Sequence, residues 1–280
     1  MKCASSIAEI RQQAAAARRA NQPILLVPTM GALHAGHGAL MDRARRDSGL
    51  VVVSIFVNPT QFDRREDYDA YSINLNADLA FCSERGVDVV FAPSASEMYP
   101  DSGSTTVEVA GVSEHLCGEF RPGHFRGVAT VVAKLFLIVA PDRAYFGEKD
   151  AQQLAVIQRM VADLNFPIEI VAVATVREPD GLAISSRNTR LTPEQRAAAP
   201  VVYRALEQAR RCIAEGHRCA AEVRQEALRI LAAEPQARVE YLEIVDSRTM
   251  MPVEQIVLPV RVAAAVWFGG TRLIDNVLAQ

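Results

Sequence analysis

The sequence has few cysteines, and their spacing matches no known functional pattern. There are five, an odd number, spread from residue 3 to residue 219. The nearest pair, Cys212 and Cys219, lies in what reads as helical sequence, with the spacing of neither a zinc site nor a disulfide framework. We therefore expect reduced, mostly packed thiols in a cytoplasmic protein.

Long apolar runs and a strong net charge are also missing. The apolar stretch of residues 128–139 is too short to span a membrane and is interrupted by Lys134. Residues 1–6 contain no apolar segment of the kind found in signal peptides. The formal charge of −3 gives no electrostatic reason to expect nucleic acid or an anionic membrane as a partner. These absences predict a cytoplasmic protein with neither of those partners.

The composition and patterning are instead those of a globular α/β protein. The chain has 280 residues, of which 50% are hydrophobic and 22% charged, enough for one large or two ordinary domains. Apolar runs separated by helical periodicity predict parallel strands over residues 23–27, 50–57, 87–92, 141–145 and 166–176, with a further strand-like run at 105–109. We predict a doubly wound, mainly parallel, Rossmann-like domain over residues 1–188.

The remaining sequence predicts a smaller α+β lid domain over residues 189–280. A capping box with proline at its first helical position opens a long predicted helix over 192–215, and a second helix follows over 219–233. Three strands are predicted after them, over residues 239–245, 262–268 and 273–278.

A histidine-containing turn follows the first predicted strand of the sheet. The chain passes through His34-Ala35-Gly36-His37 and continues with helical periodicity. A helix N-terminus presents unpaired N–H groups and attracts anions, and two imidazoles would add directional donors for phosphate oxygens. A histidine beside a glycine is also typical of a plain surface turn.

Other polar segments lie next to predicted strands or helices. Gln61 follows the strand 50–57, and Lys149 precedes a helix. Residues 185–187 supply two hydroxyls and a guanidinium suited to β- and γ-phosphates. Taken singly, the segment that contains Gln61 is equally typical of a plain turn, a lysine is usually a solvated surface charge, and residues 185–187 are more typical of an ordinary loop. Residues 121–124 form a turn whose basic side chains face either a polyanion or solvent.

Taken together, these segments resemble the pantothenate synthetase (pantoate–β-alanine ligase) family of the nucleotidyltransferase superfamily, which carries a His-x-Gly-His signature. Five blocks agree with that family in order: residues 27–37, 54–62, 116–128, 146–154 and 177–188. Ile184 replaces the family's usual methionine, and Cys117 stands where many relatives carry glutamate. The family's Tyr-Pro-Arg is absent near residues 71–74, so we assign that segment no ligand contact, and we expect residues 63–69 to form a solvated loop.

The resemblance implies an ATP-dependent ligase that condenses (R)-pantoate with β-alanine through a pantoyl adenylate and releases AMP and pyrophosphate. It also implies Mg²⁺ on the phosphates and a homodimer. The residues it marks as catalytic are His34, His37 and Lys149. Those it assigns to ATP are Met30, Gly31, Ala32, Leu33, His34, Ala35, Gly36, His37, Gly147, Glu148, Lys149, Asp150, Val176, Ile184, Ser185, Ser186 and Arg187. Gln61 and Gln153 are assigned to pantoate, Gln61 also to β-alanine, and no residue is assigned as a metal ligand.

Two alternatives stay open at this point. One is a different nucleotidyltransferase, which would leave the nucleotide on its product. The other is a non-catalytic nucleotide sensor, although a sensor has no need of both histidines, Lys149 and residues 185–187 together.

Overall fold

The computed structural model describes residues 1–63, 68, 71 and 74–280, and the chain divides into two compact units. The first comprises Met1–Val109, Arg121–Glu148 and Val156–Ala174, and the second comprises Ala110–Phe120, Lys149–Ala155 and Thr175–Gln280. Most of the predicted solvated loop 63–69, together with residues 72 and 73 of the segment that departs from the family pattern, lies outside the described residues.

A six-stranded parallel sheet forms the first unit. Its strands are β1 (Lys2–Ala4), β2 (Ile24–Thr29), β3 (Leu50–Ile55), β4 (Val89–Phe91), β5 (Arg143–Gly147) and β6 (Glu169–Val173). Their order is β1-β4-β3-β2-β5-β6, and every pairing is parallel. From β2 the chain therefore moves outward through β3 and β4, then resumes on the other side with β5 and β6. This reversal confirms the predicted doubly wound fold.

The helices alternate with these strands. They are α1 (Ile7–Arg19), α2 (Ala35–Arg46), α3 (Leu75–Glu84), α4 (Ala95–Met98), α5 (Cys117–Phe120), α6 (His124–Val139) and α7 (Ala151–Asp163). Short 3₁₀ turns occupy Pro59–Gln61, Pro100–Ser102 and Glu148–Asp150. Ser6 caps α1 in a capping box with Glu9. Within the described ranges, no helix has the length and apolar character required to cross a membrane.

The core of the first unit explains why the strands are continuous apolar runs. Leu25 and Val27 of β2 cluster with Val51 and Val53 of β3, and all four side chains are fully buried. Met41 of α2 covers the same cluster, so the helix that follows the histidine turn is fixed to the sheet by apolar burial.

The second unit is built around an antiparallel sheet. Its strands are β7 (Ala237–Asp246), β8 (Val260–Phe268) and β9 (Thr271–Ala279), in that order. Its helices are α8 (Pro193–Ala198), α9 (Val201–Ala214) and α10 (Ala220–Ala232), with a 3₁₀ turn at Ser186–Arg190. Alanine, valine and leucine side chains of α9 and α10 share one core with β7, β8 and β9.

Two predicted elements are wrong. Residues 105–109 form no strand, because the Val107 amide donates to the hydroxyl of Thr130 at 2.9 Å and not to a neighbouring strand. The long helix expected over 192–215 is two helices, because Pro200 has no N–H to continue the first. The short strand β1, which pairs with β4, was not expected.

Candidate active site

The carboxyl edge of the parallel sheet carries the predicted residues of the first unit. β3, β2 and β5 are neighbours in the sheet, and the strand order reverses between β2 and β5. Ligands of open α/β sheets bind at such a reversal, beyond the carboxyl ends of the strands. The histidine turn follows β2, and Gln61 follows β3. Gly147 ends β5, and Glu148 begins the 3₁₀ turn after it.

His34 caps α2, and His37 completes the cap. The Gly36 amide donates to His34 Nδ1 at 3.1 Å, and the His34 amide donates to His37 Nδ1 at 3.3 Å. A neutral imidazole that accepts at one nitrogen carries its proton on the other, so these partners assign Nε2–H to both rings. The ring centroids are 4.1 Å apart. The turn thus pairs two oriented N–H donors with the N-terminus of a twelve-residue helix.

The backbone of the turn depends on a glycine and on a buried carboxylate. A Cβ at Gly36 would lie 2.9 Å from His34 Cε1, so any side chain there would displace the ring. Asp78 of α3, which is 4% exposed, accepts from the Ala32 and Leu33 amides at 3.0 and 2.8 Å. Sequence reasoning missed Asp78, because nothing in a helical segment indicates that one of its acids is buried.

Gln61 is held in a polar network that orients its amide. Asn58 Nδ2 donates to Gln61 Oε1 at 3.2 Å, and Gln61 Nε2 lies 2.9 Å from Met30 Sδ. Tyr99 donates its hydroxyl proton to Asn58 Oδ1 at 2.8 Å. Burial raises the pKa of Tyr99, so the phenol keeps that proton at neutral pH. These contacts bring Met30 and Gln61 together, as two predicted ligands of the first unit.

The basic turn at 121–124 supports the Gln61 backbone. His124 Nδ1 lies 2.8 Å from the Gln61 carbonyl oxygen, and Arg121 donates to the same oxygen at 3.3 Å. Gly127 of α6 allows this approach, because a Cβ there would lie 2.3 Å from the Thr60 carbonyl oxygen. Both basic side chains therefore bind main chain within the first unit, which neither sequence interpretation anticipated.

In the second unit, Lys149 is a partly buried cation among charged groups. Its amine donates to the Ile184 carbonyl oxygen at 2.8 Å. Burial lowers the pKa of Lys149 to about 8; Asp275 and Asp150 oppose this shift, and Arg187 and Arg177 add to it. A pKa of about 8 leaves the amine mostly protonated at pH 7, so it remains a cation suited to a phosphate.

Asp150 and the segment 176–187 complete the predicted set of the second unit. Asp150 Oδ1 accepts from the Gln153 amide at 3.1 Å at the start of α7. The Ile184 amide donates to the Val176 carbonyl oxygen at 3.0 Å, so these two predicted ATP residues are paired through their backbones. Ser185 Oγ accepts from the Arg187 amide at 3.2 Å and caps the 3₁₀ turn that contains Ser186.

The predicted residues thus gather into two groups, one in each unit. The first unit holds Met30, Gly31, Ala32, Leu33, His34, Ala35, Gly36, His37, Gln61, Gly147 and Glu148, and the second holds Lys149, Asp150, Gln153, Val176, Ile184, Ser185, Ser186 and Arg187. The roles predicted for them remain predictions.

The strand order of this doubly wound sheet reverses beside the helix that starts at the histidines, which is the arrangement in which open α/β sheets bind ligands such as nucleotides. The profile of the family described as Pantoate-beta-alanine ligase matches residues 2–278. A pantothenate synthetase of Moorella thermoacetica is 53% identical over 280 residues, which are 100% of this chain and 99% of the relative.

Solved structures give the same result. The crystal structure of pantothenate synthetase from Thermus thermophilus has a TM-score of 0.93 and 50% identity, with 99% of each chain covered. The pantoate-beta-alanine ligase of Francisella tularensis, complexed with beta-gamma ATP and beta-alanine, has a TM-score of 0.80 and 35% identity, covering 99% of this chain and 97% of that one.

The chain belongs to the pantoate-beta-alanine ligase family. It is an ATP-dependent ligase of pantothenate biosynthesis, and its reaction condenses pantoate with β-alanine. The resemblance inferred from the five sequence blocks is confirmed.

Proposed function

We propose that the histidine turn binds the α-phosphate of ATP while the pantoate carboxylate attacks it. The observation that carries this proposal is the pair of main-chain hydrogen bonds to Nδ1 of His34 and of His37. Those bonds assign a donor N–H to Nε2 of each ring, at a helix N-terminus where negative charge is favoured. Two fixed donors stabilise charge that builds on phosphate oxygens without having to reorient.

Lys149 and the segment Ser185–Arg187 are proposed to bind the rest of the triphosphate. Lys149 already donates to the backbone of this segment at Ile184, so the amine and the two hydroxyls belong to one local structure. The guanidinium of Arg187 donates to the Arg272 carbonyl oxygen at 3.3 Å, which anchors the segment to β9. The neighbouring residues Gly147, Glu148, Asp150 and Val176 are proposed to contact the nucleotide. The complex of the Francisella ligase with a form of ATP supports a nucleotide site in this chain.

Gln61 and Gln153 are proposed to bind pantoate, and Gln61 also β-alanine. An amide offers one donor and one acceptor group without a full charge, so it orients a carboxylate that must remain nucleophilic. In the first step the carboxylate oxygen bonds to the α-phosphorus and pyrophosphate leaves. In the second step the β-alanine amine bonds to the acyl carbon, the amine loses a proton, and AMP leaves. Neither step requires a covalent bond to the protein, so positioning and charge stabilisation are sufficient.

Mg²⁺ is proposed to accompany ATP. This ion usually takes its ligands from phosphates, water and one or two carboxylates. In the described part of the chain, no three His, Cys, Asp or Glu side chains form a group suited to a metal. We therefore propose that the phosphates of ATP and water supply most of the ligands of Mg²⁺. Such an ion would reduce the negative charge of the triphosphate.

The remaining assignments concern the whole molecule. We propose a cytoplasmic homodimer in which residues 1–188 bind ATP and pantoate and residues 189–280 act as a lid. The free cysteines support the cytoplasmic location. All five are thiols, and three of them, Cys82, Cys117 and Cys212, are buried. Burial raises the pKa of Cys82 to about 12, so that thiol stays protonated and unreactive.

The decisive experiment follows pyrophosphate and AMP separately. With ATP and pantoate alone, we expect one equivalent of pyrophosphate per active site, and AMP only after β-alanine is added. His34→Ala and His37→Ala should slow the first step, whereas His217→Ala, at an exposed histidine of the second unit, should not. If the histidine variants slowed only the reaction of supplied pantoyl adenylate with β-alanine, the phosphate role would be wrong. AMP that stayed attached to the product would indicate a different nucleotidyltransferase.

A further inference from the structure

Two consecutive polar residues of β9 are buried beside the Lys149 segment. Asp275 is 6% exposed and Asn276 is 5% exposed, on a strand whose other residues are mostly apolar. Burying a carboxylate and an amide is unfavourable unless each is hydrogen-bonded, so their partners indicate why they are there.

Asn276 binds the backbone of Lys149 directly. Its Nδ2 donates to the Lys149 carbonyl oxygen at 3.0 Å, and its Oδ1 accepts from Arg261 at 2.7 Å. Arg261 lies on the adjacent strand β8, so the amide is oriented from within the sheet. The position of the Lys149 main chain is therefore tied to the register of β8 and β9.

Asp275 controls the charges around the Lys149 amine. It accepts from both terminal nitrogens of Arg177, at 2.6 and 2.9 Å, and the Arg177 guanidinium also stacks 4.0 Å from the centre of the Tyr203 ring. Lys149, Asp275 and Tyr203 line one cavity of about 10 Å³, the space of roughly one water molecule. The Asp275 carboxylate thus faces two cations, Arg177 through direct hydrogen bonds and Lys149 across the cavity. Burial raises the pKa of Asp275, and the hydrogen bond from Arg177 opposes that rise.

We propose that Asp275 and Asn276 are positioning residues for Lys149, with Asn276 fixing its backbone and Asp275 keeping its amine charged. This inference rests on the proposed role of Lys149 in binding phosphate. Neither residue needs to contact substrate. Four charged groups act on the Lys149 amine. Two are anions, Asp275 of β9 and the neighbouring Asp150, and two are cations, Arg177 and Arg187.

The test is the pH profile of single-turnover pyrophosphate release from ATP and pantoate. The wild-type value of kcat/KM for ATP should fall above about pH 8, as Lys149 loses its proton. Asp275→Asn removes the anion and leaves Arg177 uncompensated, so the fall should begin about one pH unit lower, with a rate at pH 8 reduced about fivefold. Asp163→Asn, in the exposed pair Arg159–Asp163 of α7, is the matched control and should leave the profile unchanged.

Asn276→Ala separates the backbone role from the charge role. It removes the donor to the Lys149 carbonyl without changing charge, so the rate should fall about tenfold at every pH and the profile should keep its midpoint. Thermal unfolding checks that each variant is folded. If Asp275→Asn does not fold, the double variant Arg177→Gln/Asp275→Asn replaces it. This variant removes the ion pair as a whole, and the midpoint should still move to lower pH, because Asp275 affects the amine more strongly than Arg177 does.

The outcomes separate this inference from the proposed function. A folded Asp275→Asn protein, or its substitute, with an unmoved midpoint would overturn the charge role, and an unaltered Asn276→Ala rate would overturn the backbone role. Wild-type rates in Lys149→Ala would instead remove Lys149 from the site, and the proposed function of that residue would be wrong.

Discussion

The histidine turn (residues 34–37) and the lysine segment (residues 149–150) are held in place by different kinds of contact. The contacts of the turn join residues close together in the sequence, and those of the lysine segment join residues far apart. In the turn, the two ring hydrogen bonds join residues two and three positions apart. In the lysine segment, Lys149 bonds to Ile184, 35 positions away, and to Asn276, 127 positions away. The ring hydrogen bonds of the first group come from local chain geometry, whereas the contacts of Lys149 depend on the folding of the whole second unit.

This difference separates two ways of orienting a donor. A capping histidine is oriented as soon as its helix forms, because its partner is the amide of its own turn. A lysine has a long flexible side chain, which loses more rotamer freedom on being fixed and needs several partners. Substitutions in the turn should therefore change both the rate of adenylate formation and the stability of the start of α2. The position of Lys149 should instead be sensitive to substitutions far away in the sequence.

The largest effect is expected at Lys149. Lys149→Ala removes the cation that we propose binds the phosphates, and loss of one such group typically costs about a hundred- to a thousandfold in rate. Because burial of the charged amine is unfavourable, stability should not fall. Pyrophosphate release together with circular dichroism tests this. A folded variant with near wild-type release would contradict it.

A smaller loss of rate, about a hundredfold, is expected at His34. Two substitutions there distinguish the helix-capping role of the side chain from its proposed role as a hydrogen-bond donor to phosphate. His34→Asn keeps a side chain that caps helices well, so it should lose adenylate formation but little stability. His34→Ala should lose both, with a further decrease of about 1 kcal/mol in the free energy of unfolding. Chemical denaturation and pyrophosphate release measure the two effects. Equal stability of the two variants would mean that the cap contributes nothing.

Asp78 tests whether the turn is as local as its ring contacts suggest. Asp78→Asn replaces one acceptor oxygen by a donor, so one of the Ala32 and Leu33 amides loses its partner. We expect the free energy of unfolding to fall by about 1–3 kcal/mol and ATP use to weaken with it. Denaturant unfolding measures the first, with Asp163→Asn as the control. Unchanged stability would show that the turn needs no support from α3.

The smallest effect is expected for Gln61 and Gln153, the two neutral residues that we propose bind pantoate. Gln61→Glu and Gln153→Glu keep shape and add a negative charge, so pantoate use should weaken by at least about tenfold, roughly 1.4 kcal/mol. ATP affinity, measured alone, should barely change. Gln158→Glu, at an exposed position of the same helix as Gln153, is the matched control. Unaltered pantoate kinetics with weaker ATP binding would place the glutamines on the wrong ligand.

The range of contacts also explains what could be predicted from the sequence. Most strands and helices, the capping box at 192–195 and the helix start at the histidines follow from patterns that span fewer than about fifteen residues. Asp275 and Asn276 could not be found in this way, because a one-residue shift of β9 would exchange the faces of every side chain on it. Asp78 was missed for a similar reason, since its partners are 45 and 46 positions away.

The hydrogen bond from the Gly36 amide to His34 has a consequence for proton chemistry. It selects a tautomer when the chain folds, before any nucleotide arrives. Binding a phosphate oxygen then requires no proton to move between ring nitrogens and no ring to flip, so this part of the reorganisation is complete in advance.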